Sequence, residues 1–155
     1  MTLRQAVRVI YLIDTNVVLR ALDTKSPEHH LARQSTHRLL QAGHQRRCVP
    51  QNFIELWNVL TRPVQYNGLG KSTTQAERVL AMAERLFPLL GDSPNTYAIW
   101  RRLIVDHQVC GKQSHDARIA AAMLTLGVSH ILTFNFSDFK RYSPEGIVAV
   151  DPRAV

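Results

Sequence analysis

Apolar residues come in short blocks separated by polar or Gly- and Pro-bearing segments, and the spacing within the blocks changes along the chain. Arg8–Ile13 is a short apolar, β-branched run and predicts a buried strand. Asn16–Leu22 resumes the apolar pattern as a short helix that stops before a loop at Asp23–Pro27. Glu28–Ala42 predicts a helix anchored by Leu31, Leu39 and Leu40, with Gly43 just past its end. Arg47–Val49 reads as a weak second strand. Gln51–Thr61 carries Phe53, Ile54, Leu56, Trp57 and Leu60 at helical spacing and is closed by Pro63. Residues 64–71, with Asn67-Gly68 and Gly70, predict a loop, Thr73–Glu84 a helix and Arg85–Leu90 a third short strand.

In the last third, Ser93-Pro94 combines a cap residue with proline and opens a helix that runs to about His107. Ser114 caps the next helix, whose apolar positions are Ile119, Ala120, Met123 and Leu126 and whose end is Gly127. His130–Phe134 and Ile147–Val150 are the last strands. Strands alternating with helices give an α/β fold with a mainly parallel sheet. In such a sheet the crossover helices start near the carboxyl ends of the strands, where ligands bind. An acid at a strand end or in the first turns of the next helix therefore points at a common rim. The absence of repeats, low-complexity tracts and linkers makes residues 1–155 one domain.

Composition narrows the classes. A 45% hydrophobic, 20% charged chain of 155 residues can build a core and is not a disordered one. No apolar run approaches the roughly 20 residues of a membrane helix. The start, MTLRQAVRVIYLID, lacks the apolar region and cleavage site of a secretory leader. Cys48 and Cys110 fit neither a disulfide framework nor a cysteine metal site and read as reduced core residues of a cytoplasmic protein. The net charge of +7 is the informative property. Arg46–Arg47, Arg62, Lys71, Arg101–Arg102, Lys112 and Lys140–Arg141 are dispersed, which fits either a solvated surface or contact with a polyanion such as nucleic acid.

The acids carry the candidate chemistry. Asp14 ends the first strand and is either the N-cap of the following helix or a ligand; Thr15 or Asn16 can take the cap and leave its carboxylate free. Glu55 lies on a polar stripe with Gln51, Asn58 and Arg62, either a solvated face or a carboxylate held above the rim. Asp116 shares a face with Ile119, Ala120 and Met123, and a partly buried carboxylate needs a cationic partner. Asn135 and Asp138 follow the fourth strand, in a polar loop on the same rim. Oxygen ligands converging from separate elements suit Mg²⁺ or Mn²⁺. His29–His30 reads as a surface pair, and His115 as a candidate to position water beside Asp116. Trp57 and Trp100 read as core residues rather than base-stacking platforms.

Three ordered segments, IDTNVVLRAL, VPQNFIELWNVLTRP and HDARIAAAMLTLGVSHILTFNFSDFKRY, resemble a PIN domain of the VapC-like toxin type, from Ile10 to about Tyr142. DTN after a strand is a weak motif; the DxxIAA helix before a strand ending in T-x-N-x-x-DF is far more specific. The resemblance implies a three-layer α/β/α sandwich on a sheet of four to five strands. It also implies an endoribonuclease for single-stranded RNA (tRNA, mRNA or rRNA) that uses Mg²⁺ or Mn²⁺. Asp14, Glu55 and Asp116 match the acids that ligate metal, with Glu55 alternatively orienting water. Asn135 stands where a fourth acid is usual, and whether it or Asp138 serves there, with one metal or two, stays open. Thr15 and Thr133 match hydroxyl positions near the site; Asn16, Arg62 and Lys140 are the accompanying substrate-contact candidates. Residues from about 67 to 86 match a protruding helical insertion in length and place. The resemblance further implies a homodimer neutralised by a small antitoxin whose tail occupies the acidic groove. An RNA-processing nuclease without an antitoxin, and a non-catalytic α/β binding module, are the competing readings.

Overall fold

The computed structural model describes residues 7–155; the first six, on which part of the leader reading rests, lie outside the described residues. Strands β1 (Ile10–Ile13), β2 (Gln45–Arg47), β3 (His130–Leu132) and β4 (Val148–Val150) form one sheet in the order β2-β1-β3-β4, with every neighbouring pair parallel. The helices are α1 (Thr15–Leu22), α2 (His29–Gln41), α3 (Pro50–Thr61), α4 (Thr73–Leu86), α5 (Thr96–Asp106), α6 (Gln113–Leu126) and α7 (Phe136–Lys140).

Successive strand residues point to opposite faces, so a sheet covered on both sides needs apolar residues throughout. Ile10, Leu12, Ile131 and Ala149 join one core with Leu103 of α5, Phe139 of α7 and the buried run Ala117, Ile119–Met123 of α6. Tyr11, Ile13, Leu132 and Val150 join the other with Val17 and Val18 of α1, Ala32 and Leu39 of α2, Phe53, Leu56 and Leu60 of α3, and Ala76 and Ala83 of α4. The result is the expected α/β/α sandwich, on four strands.

Several boundaries differ from expectation. The second strand lies at Gln45–Arg47, two residues before the expected Arg47–Val49. No strand forms at 85–90: the amphipathic pattern of α4 carries on through Leu86, and Pro88, which lacks an amide proton, halts it. Only a single bridge remains there, between Leu89 and Cys48. Pro94 and Asn95 form a turn in front of α5, with Ser93 Oγ accepting the Asn95 amide at 3.3 Å. Ser114 does not cap α6, because the turn begins at Gly111 (φ +59°) and draws Gln113 and Ser114 into the helix. α7 falls where a polar loop was expected; Phe139 and Tyr142, three residues apart and fully buried, fold it onto the core.

Burial corrects two further readings and supports a third. Cys48 is buried as expected, but Cys110 is exposed. Leu40 and Ile54, counted as apolar anchors, are 49% and 69% exposed. Trp57 and Trp100 are half-buried against the two cores, with the Trp100 indole N–H donating to the Ser114 carbonyl at 2.9 Å. Among the described residues no helix is long and apolar enough to cross a membrane.

Candidate active site

Asp14 leaves the sheet at the carboxyl end of β1. Its amide donates to the Leu132 carbonyl at 3.0 Å, and the Thr133 amide donates to Val150 at 3.0 Å, so the ladder continues one step and sets Asp14 beside Thr133. Asp14 is itself the N-cap of α1: its Oδ1 accepts the Thr15 amide at 2.8 Å, and neither Thr15 nor Asn16 takes that place. Its Oδ2 accepts from the Thr133 hydroxyl at 2.7 Å and the Asn16 amide group at 3.1 Å. All three donors favour the ionised form, yet burial outweighs them and lifts the Asp14 carboxyl from 3.8 to about 6.

Glu55 stands on the second turn of α3 and is fixed through both oxygens. Oε2 accepts from the Thr15 hydroxyl at 2.9 Å, and Oε1 accepts from Gln51 Nε2 at 2.8 Å. The same Gln51 nitrogen donates to the His115 carbonyl at 2.8 Å, and Gln51 Oε1 accepts from Arg118 at 3.3 Å. Gln51 thus ties the helix carrying Glu55 to the first turn of the helix carrying Asp116. Fully buried Asn52 braces the other side: its Nδ2 donates to Thr15 Oγ1 at 3.3 Å and its Oδ1 accepts the Val49 amide at 2.9 Å.

Asp116, in the first turn of α6, is raised to about 7, first by burial and then by repulsion from Asp14, Glu55 and Asp138. Arg141 opposes the shift. The four carboxylates share one opening. They meet in a cleft of about 980 Å³ that is also lined by Thr15, Asn16, Asn135, His115 and Gln51. Lys112, Arg118 and Arg62 supply cations to its walls, and exposed Ile54 supplies an apolar edge.

Two expected substrate contacts do not line this cleft. Thr133 is fully buried, and its hydroxyl bridges Asp14 and the Asn135 amide, the latter at 2.9 Å. Lys140 holds its ammonium 5.8 Å from the centre of the Phe136 ring. Arg62 reaches the cleft wall and also donates to the Asn67 carbonyl at 3.2 Å. His29 contacts the Arg20 carbonyl at 2.9 Å and His30 is exposed, away from the acids. Gln51, Asn52, Lys112, Arg118 and Arg141 were not singled out by the sequence as site residues. Only Gln51 left a usable signal there, one turn before Glu55 on the same face.

Among the described residues no three carboxylates, imidazoles or thiolates close into a cage around an ion. The acids instead border an open cleft in which water can complete a coordination shell, the arrangement that Mg²⁺ accepts. Carboxylate oxygens gathered closely enough for Asp14, Glu55 and Asp138 to repel the charge on Asp116 fit a hard divalent cation.

The sequence profile of the PIN domain matches residues 11–143. The chain belongs to the PIN-domain family. No curated protein matches it in sequence. Solved structures share the fold at low identity. VapBC2 of Rickettsia felis, bound to a promoter DNA fragment, matches with a TM-score of 0.69 and 16% identity over 92% of this chain and 98% of that one. FitAcB of Neisseria gonorrhoeae gives 0.68 and 20%, over 95% and 100%. VapC20 of Mycobacterium tuberculosis, a sarcin-ricin loop-cleaving toxin, gives 0.61 and 16%, over 91% and 98%. This PIN domain therefore spans nearly the whole of each.

Proposed function

We propose that this PIN domain is an Mg²⁺- or Mn²⁺-dependent endoribonuclease of the cytoplasm that cleaves phosphodiester bonds in single-stranded RNA. The observation that carries the reading is the convergence of Asp14, Glu55, Asp116 and Asp138 from separate elements on one cleft, with Asp14 and Asp116 shifted upward by burial and by their neighbours. Asp14, Glu55 and Asp116 would hold the cation, with Asp138 or Asn135 in the fourth position. A bound divalent cation neutralises these acids, polarises the scissile phosphate and lowers the pKa of a coordinated water. The chain does the rest. Thr133, Asn16 and the Thr15 amide orient Asp14, while Gln51 and Thr15 orient Glu55 to hold the ion or direct water. Lys112, Arg118 and Arg62 hold the RNA backbone on either side.

The RNA assignment is supported by the cleavage named for VapC20, and a small antitoxin partner by the toxin–antitoxin assemblies of the same fold. On this reading the protein is the toxin of such a pair and works as a homodimer. The test is cleavage of single-stranded RNA with Mg²⁺ or Mn²⁺, with and without EDTA, by wild type, Asp14→Asn and Asp116→Asn. Chelation and each substitution are expected to lower the rate by about a hundredfold or more. Cleavage that survives chelation or either substitution rejects the metal mechanism.

A further inference from the structure

The charge of this PIN domain is concentrated as well as positive. Residues 29–54 contain Arg33, Arg38, Arg46 and Arg47, together with His29, His30, His37 and His44, and no aspartate or glutamate. The fold gathers much of this segment at one end of the sheet. β2 is an edge strand, and Arg8 and His44 precede β1 and β2 at the amino ends of the strands, opposite the carboxyl ends where the acids lie. Two adjoining depressions occupy this edge. Arg8, Arg47 and Arg85 line the first, His30, Arg33 and His37 line the second, and Arg46 lines both. Neither has an acidic lining residue, and neither shares a residue with the acidic cleft.

The guanidinium groups here are held by neutral oxygens. Arg8 donates to the Gly43 carbonyl at 3.2 Å, Arg46 to the Thr36 carbonyl at 3.4 Å, and Arg47 to Gln45 Oε1 at 3.2 and 3.3 Å. Among the described residues, Arg8, Arg33, Arg46, Arg47 and Arg85 lie within ion-pair distance of no carboxylate, whereas Arg20, Arg102, Arg118 and Arg153 all do. Uncompensated cations in this density repel one another, and a bound polyanion relieves the repulsion. The guanidinium fork matches phosphate oxygens in pairs.

We propose that this edge is a second nucleic-acid surface, which takes the phosphate backbone of an RNA beyond the stretch entering the acidic cleft. Its choice of RNA rests on the ribonuclease reading, while its chemistry does not. The two surfaces divide the work: the cleft receives the bond to be cut, and the remote edge adds affinity that depends on charge rather than on sequence. Short unstructured substrates would miss the second surface. An acidic protein would use the same arginines together with Leu40 and Leu86, which are 49% and 39% exposed between them.

The test uses the full chain in EDTA, so that binding is read without cleavage. Anisotropy of a labelled RNA hairpin with single-stranded tails is titrated at several salt concentrations, with wild type and two triple variants. One is Arg33→Gln, Arg47→Gln, Arg85→Gln; the other replaces the same three with lysine. The glutamine triple is expected to weaken binding by about tenfold or more and to lower the slope of log Kd against log salt by about 2, the share of three phosphate contacts. The lysine triple is expected to keep the slope and stay within about threefold of wild type, because the charge remains. Unchanged affinity and slope in the glutamine triple overturns the proposal. So does equal loss in both triples, which traces to shape. RNA binding unaltered while binding of poly-glutamate weakens assigns the surface to an acidic protein instead. A chain that cuts no RNA in Mg²⁺ yet shows the slope change refutes the nuclease reading and retains this one.

Discussion

At Asp14, hydrogen bonds from Thr15, Asn16 and Thr133 stabilise the ionised carboxylate, and burial destabilises it by more. The consequence for stability has a definite sign. The native carboxyl titrates at about 6 and the unfolded one at 3.8, so the native state holds more protons between those values and stability falls as pH rises through them. Above pH 6 the cation-free protein carries a penalty of up to about 3 kcal/mol from this one group. Denaturant unfolding in EDTA is therefore expected to show wild type losing stability relative to Asp14→Asn between pH 4 and pH 7. Parallel pH profiles for the two proteins would mean that Asp14 is not held against its charge. His130 has the opposite sign: burial and His44 lower its pKa, so it costs stability as pH falls below 6.5. Comparing the variant with wild type removes that background. The choice between cap and ligand for Asp14 was open in the sequence because an aspartate after a strand serves both. The structure shows the cap with one oxygen, while the other faces Thr133 and Asn16.

At the scale of elements, the connection between α3 and α4 shows how a loop can be as constrained as a helix. The chain folds back over the end of α3, with the amides of Leu69, Gly70 and Lys71 donating to the carbonyls of Val59, Arg62 and Leu60 at 2.9, 2.9 and 2.8 Å. Gly68 sits inside this wrap, where a Cβ would lie 1.9 Å from the Arg62 carbonyl oxygen. Backbone, unlike a side-chain tip, cannot move aside cheaply. Gly68→Ala is expected to cost about 1–3 kcal/mol, read as a lower denaturant midpoint. A midpoint equal to wild type would show that the wrap yields. The Asn67-Gly68 turn was legible in the sequence, but its contact with α3 was not, because that depends on tertiary approach. The same reason explains the other element-level differences. Arg85 and Leu86 suit strand or helix locally, and the α4 pattern that precedes them decides. α7 spans five residues, too few for periodicity to reveal, and depends on burying Phe139. Longer apolar segments were readable more closely, α3 to within one residue at its start and α6 to within two.

Across the whole molecule, charge is divided between the carboxyl ends of the strands, which collect acids, and the β2 edge with the amino ends, which collects arginines. Composition reported the sum of the two and concealed their separation. The acids of the cleft were legible because a parallel sheet sends every strand end to one rim, so order along the chain was enough to group Asp14, Glu55 and Asp116. The side chains that hold them were mostly not: Gln51 showed only its place one turn before Glu55, and Arg118 looks like any solvated polar residue until α3 and α6 are docked. On the proposed reading, in which the acidic end holds a divalent cation, the fold's stability depends on that ion. A divalent ion that binds only the native state raises stability by RT ln(1 + [ion]/Kd), about 2.7 kcal/mol at a hundred times Kd. Protons compete for the same oxygens, and with carboxyls titrating at about 6 and about 7, Asp14 and Asp116 are mostly protonated at pH 5. Thermal unfolding with Mn²⁺ against NaCl of equal ionic strength is therefore expected to show a rise in Tm at pH 8 that is largely lost at pH 5. Asp116→Asn should reduce the rise at pH 8. A rise of equal size at both pH values, or one that persists in the variant, would locate the ion outside the cleft.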